Sequence, residues 1–396
     1  MSSKSKYQSL PEIKLLTEMM SIPGKSREEA QIAGYIKEKL LGAGLPEKQI
    51  RHDQAHKKTV PPGEVGHLIV KLPGTRRGPR RLLMSHMDTV PLCVGCKPII
   101  DGEYIQSADP KTALGADNRS GCAVLLNTLL TILREGLDHP PLTFLWPIQE
   151  ELGLRGIRQL DTRKLGNPKL CFNWDGRDPN VLIKGATGDI AMTIQIDGIA
   201  SHAGVHPEEG VNALMVASLA LADLQENGWH GLIEKGKQRG TSNAGIVEGG
   251  NATNVVMSHF TLHAESRSHN AKFRQRIVDQ WRKSFEKAIR TLKNIHGKKA
   301  ELSFETYLKY ESFCLEETEP TLLAAKAAIE KLKMKPFASI ANGGLDANWM
   351  TEFGFPTVTL GAGQMNPHTV REQLHIPSFL TACQVGQVLA TATEND

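Results

Sequence analysis

The sequence predicts an α/β protein in which a mainly parallel mixed sheet is flanked by helices and interrupted by an inserted α+β unit. Three observations predict it. Strand-length apolar segments alternate with segments of helical period through the first half of the 396-residue chain. Two of those strands, "PLTFLWPI" and "KLCFNWDG", are nearly continuous apolar runs, as strands buried on both faces are. From about Gly185 the pattern becomes half-exposed alternating strands and two helices in the order β-α-β-β-α-β, which is ferredoxin-like. The expected division is a discontinuous larger domain, residues 1–184 and 311–396, and an inserted one, 185–310.

Taken in order, "PEIKLLTEMMSI" and "SREEAQIAGYIKEKLLGAG" have helical period, with Ser26 a candidate N-cap and Glu29 three residues on. "GHLIVKLPG" and "RRLLMSH" read as strands, "NRSGCAVLLNTLLTILREG" as an apolar-faced helix, then come the two buried strands. In the insertion, "DIAMTIQIDG" alternates, a helix follows over Pro207 to Glu226, then "NAGIVEGG" and "VVMSHFTLHAESR", a long helix from "AKFRQRIVDQW", and "AELSFETYLKY". The α/β pattern resumes with "TLLAAKAAIEKLKM", "PFASIA" and "FPTVTLGAG".

The chain has 47 basic and 43 acidic residues, a formal net charge of +4, too balanced for a nucleic-acid binder. The dense basic run Arg76, Arg77, Arg80 and Arg81 is broken by Gly78 and Pro79 and reads as a solvated turn between strands. Of six cysteines, only Cys93 and Cys96 are close; without a second pair they make no zinc knuckle, and no βαβ redox context surrounds them. Most of the others read as core thiols, which fits a reducing compartment. There is no signal peptide and no apolar stretch near the ~20 residues that span a bilayer, so a cytoplasmic protein with no membrane partner is expected.

The polar residues at strand ends carry the chemistry. "LLMSHMD" ends in His86 and Asp88, "ALGADNRSG" places Asp117 before a helix, "LWPIQEE" gives Glu150 and Glu151, "LCFNWDG" gives Asp175, and "TLGAGQMNPHT" gives His368. In a mainly parallel sheet, ligands bind beyond the carboxyl ends of the strands, where these groups would converge. Each has a plainer reading alone: a polar strand end, a solvated acid pair, a helix N-cap at Asp117, a turn residue at Asp175. Together, imidazoles and carboxylates suit zinc and similar ions, and two His with three carboxylates exceed what one catalytic zinc takes. They fit two ions sharing one carboxylate. One acid of the Glu150–Glu151 pair then holds metal and the other takes a proton from the activated water.

The order HxD, "GADN", EE, "WDG", "NPHT" resembles the dinuclear zinc aminoacylase and exopeptidase family, which includes glutamate carboxypeptidase, acetylornithine deacetylase and peptidase T. "ASHAGVHPEEGVNAL" is similar to that family's lid or dimerisation domain, and "DPKTALGADNRSGCAVLL" is most similar to its peptidase T-like branch. The resemblance implies two Zn2+ per subunit, with Co2+ or Mn2+ as substitutes, and a homodimer formed through the lid. It implies that His86 and Asp175 bind one metal, Glu151 and His368 the other, and that Asp117 bridges them. Asp88 would orient His86, Glu150 would be the general base, and His202 would steady the oxyanion, from the partner subunit in several members. Asn254 and Arg267 match lid residues that contact substrate, Arg267 with a carboxylate-gripping fork. Gly343, Gly344 and Asp346 match a loop whose amides face the substrate.

The implied activity is metal-dependent hydrolysis of a peptide bond in short peptides, removing an N-terminal residue. The alternatives are a carboxypeptidase or N-acyl-amino-acid deacylase of the same family, a dinuclear phosphoesterase, and a catalytically silent binding protein on the same scaffold.

Overall fold

A computed structural model describes residues 6–393. The chain divides into two compact units. The larger runs to Gly185 and resumes over Cys314–Ala341 and from Leu345 onward; the smaller is Ala186–Phe313 with Asn342–Gly344.

The first stretch of the larger unit contains helices α1 (Pro11–Ser21) and α2 (Ala30–Gly42), then strands β1 (Ile50–His52), β2 (Leu68–Leu72), β3 (Arg81–Met84), β4 (Pro98–Asp101) and β5 (Tyr104–Ser107). It continues through α3 (Ala116–Glu135), β6 (Leu142–Trp146), β7 (Leu170–Trp174) and β8 (Val181–Ala186). The smaller unit is built from β9 (Gly188–Asp197), α4 (Ala213–Glu226), β10 (Gly231–Lys235), β11 (Gln238–Gly249), β12 (His259–Ser268), α5 (Ala271–Thr291) and β13 (Glu301–Tyr310). The chain returns through β14 (Phe313–Cys314), α6 (Pro320–Lys331), β15 (Phe337–Ala341), α7 (Asp346–Glu352), β16 (Thr357–Leu360), β17 (Gln364–Met365), β18 (Gln373–His375) and α8 (Ile376–Thr391).

The main sheet has the order β1-β2-β6-β3-β7-β16-β8-β14, with β15 also paired to β8. Its centre is parallel: β3 pairs in parallel with β6 and β7, and β16 with β7. Its flanks at β1-β2, β2-β6 and β16-β8 are antiparallel. The central strands are mostly apolar and almost wholly buried; Phe144, Trp146, Phe172 and Trp174 are fully buried, each burial contributing about 1.5–3 kcal/mol. Gly121 lets α3 lie directly on the strand ends, since a Cβ there would meet Ser85 Oγ at 2.3 Å.

The smaller unit's sheet runs β10-β11-β12-β9-β13, the expected ferredoxin-like order with one added edge strand, β10. Helix α5 buries Phe273, Ile277, Trp281, Phe285 and Ala288, spaced three or four apart, together with Val278, against that sheet. Asn212 and Asn270 cap α4 and α5 through their side-chain oxygens.

Several expectations are corrected. The helix expected from Pro207 is a short 3-10 turn, Pro207–Glu209, and α4 begins only at Ala213, after Gly210 has broken the run. Asn342–Gly344 group with the smaller unit: His269 Nε2 lies 3.2 Å from Asn342 Oδ1, and Gly344 fits because a Cβ would sit 2.3 Å from the Tyr310 ring. The arginine run is not simply a solvated turn. Arg81 is buried and donates to the carbonyls of Leu389 (2.6 Å) and Ala392 (2.7 Å), and Arg76 to that of Thr391 (2.8 Å), so both cations meet the carbonyl end of α8. A four-stranded sheet, β17-β18-β5-β4, leaves no periodic signal in the sequence because its strands have two to four residues each. The six cysteines are unpaired, and all but Cys314 are buried.

Candidate active site

The carboxyl ends of β3, β6 and β7 deliver His86, the Glu150–Glu151 turn and Asp175 to one place, together with Asp117 at the start of α3. The β17–β18 hairpin loop adds His368. Asp117 stands between the two histidines, its Oδ1 3.3 Å from His86 Nε2 and its Oδ2 3.3 Å from His368 Nε2. Glu151 Oε2 is 2.8 Å from His368 Nε2, and Asp175 Oδ2 is 3.9 Å from His86 Nε2. Glu150 Oε2 also faces His86 Nε2, at 4.0 Å. Two groupings, His86–Asp117–Glu151 and His86–Glu150–Asp175, have ligand atoms within 4.8 Å of one another.

The donor set fits divalent ions. His86 Nδ1 lies 3.1 Å from the Asp88 carbonyl oxygen, which leaves Nε2 as a lone-pair donor toward Asp117. Asp117 Oδ1 and Glu151 Oε1 are buried and accept no hydrogen bond; each is an acceptor that a cation would satisfy. A cavity of about 250 Å³ opens beside Asp117 and Asp175, lined also by Gly176, Arg177, Gln364 and Asn366.

Without ions the cluster binds protons instead. Burial, then the Asp117 charge, pushes Glu151 and Asp175 up to about 7. Burial with Asp175 and Glu151 nearby drives Glu150 well above the ordinary carboxylate range, although His86 opposes it. Asp117 and Glu151 raise His368 to about 10. Burial disfavours a charged His86, but the surrounding carboxylates outweigh it and raise its pKa well above ordinary. Bound cations would reverse this order by favouring every deprotonated form.

The supporting contacts were largely invisible in the sequence. Asp88 does more than face His86. Its Oδ1 accepts the Glu150 amide (3.0 Å), its Oδ2 the Glu151 amide (3.1 Å) and the Ser26 hydroxyl (2.6 Å). Ser26 is therefore not the N-cap of α2; Glu29 stands at that position, fully buried, and its Oε1 accepts the amides of Arg27 (2.8 Å) and Gln149 (3.1 Å). Gln149 has φ +53°, so the turn that carries Glu150 is backbone-strained and needs such anchoring. Gln364 donates to Asp175 Oδ1 at 3.1 Å, and Glu372 accepts the Asp117 amide at 2.9 Å. Asp346 is buried at the start of α7, its carboxylate held well above the ordinary range by burial and by Asp88 and Asp175. It is a carboxylate of this cluster's surroundings rather than a loop residue.

The smaller unit holds the other expected residues. His202 and Asn254 are exposed neighbours: His202 bridges to Val255, and the Ala203 amide donates to the Asn254 carbonyl at 2.9 Å. Arg267 does not present an unengaged fork. Both prongs bind Glu265, at 2.8 and 3.0 Å, because the two alternate on one face of β12. Gly343 and Gly344 lie in the segment that groups with this unit.

Residues 185–293 match the peptidase dimerisation domain of the M20 family. The whole chain resembles a tripeptidase from Staphylococcus aureus, with 27% identity, a TM-score of 0.85, and coverage of 96% of this chain and 97% of that one. It resembles equally an aminopeptidase PepT from Bacillus cereus, at 27% identity and a TM-score of 0.80, with the same coverage. The chain is a metallopeptidase that carries an M20-type dimerisation domain. An uncharacterised Bacillus subtilis relative, YqjE, is 28% identical over 93% of this chain and 94% of its own. The cluster at the strand ends is thus the candidate metal centre of this metallopeptidase, whose chemistry is metal-dependent peptide hydrolysis.

Proposed function

We propose that this metallopeptidase is a dinuclear zinc aminopeptidase that removes the N-terminal residue from short peptides, tripeptides among them. The observation that carries the reading is Asp117, with one oxygen toward each of two histidines and a further carboxylate beside each histidine. That is a donor set for two ions sharing one carboxylate, His86 with Asp175 and His368 with Glu151. The tripeptidase and aminopeptidase relatives, similar over nearly the full chain, support the direction of cleavage.

His86, Asp175, Asp117, Glu151 and His368 would hold the two ions, which would supply Lewis-acid activation of water and carbonyl. Glu150, next in sequence to a ligand, would be the general base for water and would pass the proton to the leaving amine. Asp88 fixes the Glu150 and Glu151 amides together, so base and ligand move as one. His202 supplies the oxyanion donor. Its exposure in the dimerisation domain suits a role in a partner's site.

The homodimer would form through the smaller unit. Helix α4 exposes Leu214, Met215 and Leu219 in one stripe. Past Ser242, β11 exposes Ile246 and Val247 and has no further strand on its β10 side among the described residues. Six unpaired thiols suit a cytoplasmic setting.

The test is a panel of di-, tri- and tetrapeptides, free or blocked at each end, given to the zinc-loaded protein and read by mass. Release of the N-terminal residue, abolished by N-acetylation, is the expected result. Release of the C-terminal residue or of an acyl group would replace the reading with carboxypeptidase or deacylase.

A further inference from the structure

We infer that Glu372 is a positioning residue for the metal centre: it ties the chain segment bearing Asp117 to the hairpin loop bearing His368, and thereby sets the Glu151–His368 metal position. The inference rests on the two-ion reading above.

Asp117 is the one candidate ligand that faces both histidines, so its placement matters to both ions. Regular helix does not hold it. Asp117 (φ −82°, ψ 103°) and Asn118 (φ −126°, ψ 37°) are outside helical geometry, and the preceding Gly115 is left-handed at φ +77°. The backbone donors of this irregular segment go to Glu372 instead. Glu372 Oε2 accepts the Gly115 amide at 2.7 Å and the Cys93 thiol at 4.0 Å, and Oε1 accepts the Asp117 amide at 2.9 Å. Both amide donors reach a carboxyl group that is 2% exposed.

Glu372 is itself fixed to His368. The loop between β17 and β18 is bonded to itself: the Glu372 amide donates to the Thr369 carbonyl (3.0 Å), Thr369 Oγ1 to the Asn366 carbonyl (2.9 Å), and the Arg371 amide to Thr369 Oγ1 (3.2 Å). His368 sits within it at φ +62°, a conformation a non-glycine residue keeps only when its surroundings dictate it. One braced loop therefore supplies both a ligand and the clamp on the ligand opposite. The 3.3 Å between His368 Nε2 and Asp117 Oδ2 follows from that clamp. Asp88 performs the same service for Glu150 and Glu151.

Only a carboxylate fits the task. Glutamine has the same shape but one acceptor oxygen; its amide N–H2 would face a backbone N–H. The experiment strips wild type, Glu372→Gln and Glu372→Asp of metal, then measures Zn2+ stoichiometry and affinity by competition with a chromophoric chelator. Unfolding midpoints are taken with and without zinc. The expected result is two ions in wild type and, in Glu372→Gln, one ion bound about 10–100-fold more weakly. The other ion, which keeps His86 and Asp175, should be weakened less, and the zinc-dependent rise in midpoint should shrink. Glu372→Asp, which keeps both acceptors on a shorter arm, should fall between. If midpoints drop equally with and without zinc while both ions keep wild-type affinity, Glu372 serves the fold alone and the inference is overturned. Failure of both variants to fold overturns it likewise. A wild type that binds fewer than two ions would instead overturn the two-ion reading on which the inference stands.

Discussion

The two units each gather four carboxylates or cations at one spot and neutralise them in opposite ways. In the smaller unit, Asp189 and Glu265 meet Arg267 and Lys309. Lys309 Nζ is 2.8 Å from Asp189 and 3.2 Å from Glu265, while Arg267 forks onto Glu265 and lies 3.7 Å from Asp189. Two acids and two permanent cations close the account within the chain. In the larger unit, Asp117, Glu150, Glu151 and Asp175 have only imidazoles as ion-pair partners among the described residues. An ordinary imidazole is mostly neutral at pH 7 and a good metal ligand; these two are cations in the metal-free protein only because the carboxylates hold a proton on them. The comparison separates a structural charge cluster from one that must take its cations from solution, by the kind of base that stands opposite the acids.

The largest effect that sharpens this difference is expected from the adjacent glutamates. Glu150→Gln should lower activity by about 10²–10⁴-fold while leaving two ions bound, because an amide cannot take the proton. Glu151→Gln should lose an ion, since Glu151 is the acid at 2.8 Å from His368. Metal analysis of both purified variants checks it. Both acids lie near His86, so loss of metal in the Glu150 variant instead would exchange their roles.

An intermediate effect is expected on the other side of the comparison. Asp189 has no exposed surface, and Lys309 is its nearest cation. Lys309→Met should destabilise the protein by about 1–3 kcal/mol, below the full cost of breaking a buried pair because Lys309 is 28% exposed. Zinc content should be unchanged. Calorimetry with metal analysis tests both halves, and a variant that lost zinc would show that the clusters are not independent.

The candidate ligands were legible in the sequence because each follows an apolar run that could only be a buried strand, and because strand ends in such sheets converge. Their supports were not. Ser26 meets Asp88 across 62 positions and Glu372 meets Asp117 across 255, and most such contacts are to backbone amides, which every residue carries. Long strands and amphipathic helices were legible from their period. The two- to four-residue strands of the β17-β18-β5-β4 sheet were too short to show one, although that sheet presents His368. The state of Arg267 was hidden for the same reason: nothing in "AESRS" shows that Glu265 occupies its fork in this structure.

The smallest effect is a slope of stability with pH in the metal-free protein. Glu151 and Asp175 are raised to about 7 in the folded state, from ordinary values near about 4, and His368 to about 10 from about 6.5. Between those limits the folded protein holds more protons than the unfolded chain, so stability falls as pH rises. The acids act from about pH 4 to 7 and His368 from about 6.5 to 10. Asp117 is shifted the other way by its two histidines, but its window lies below its ordinary carboxylate value and leaves neutral pH untouched. His368 is half exposed, so solvent screening reduces its share and the fall should amount to a few degrees in midpoint between pH 6 and 9. With zinc bound the ligands are already deprotonated, and the slope over that range should vanish or reverse. In the smaller unit, Glu265 is lowered where Arg267 and Lys309 outweigh burial, so its contribution is constant across the same range. Melting curves at pH 6, 7, 8 and 9, with chelator and with zinc, decide it. A chelated protein that grew more stable from pH 6 to 9 would mean that the acids of the larger unit are already neutralised without metal, and the contrast between the two clusters would fail.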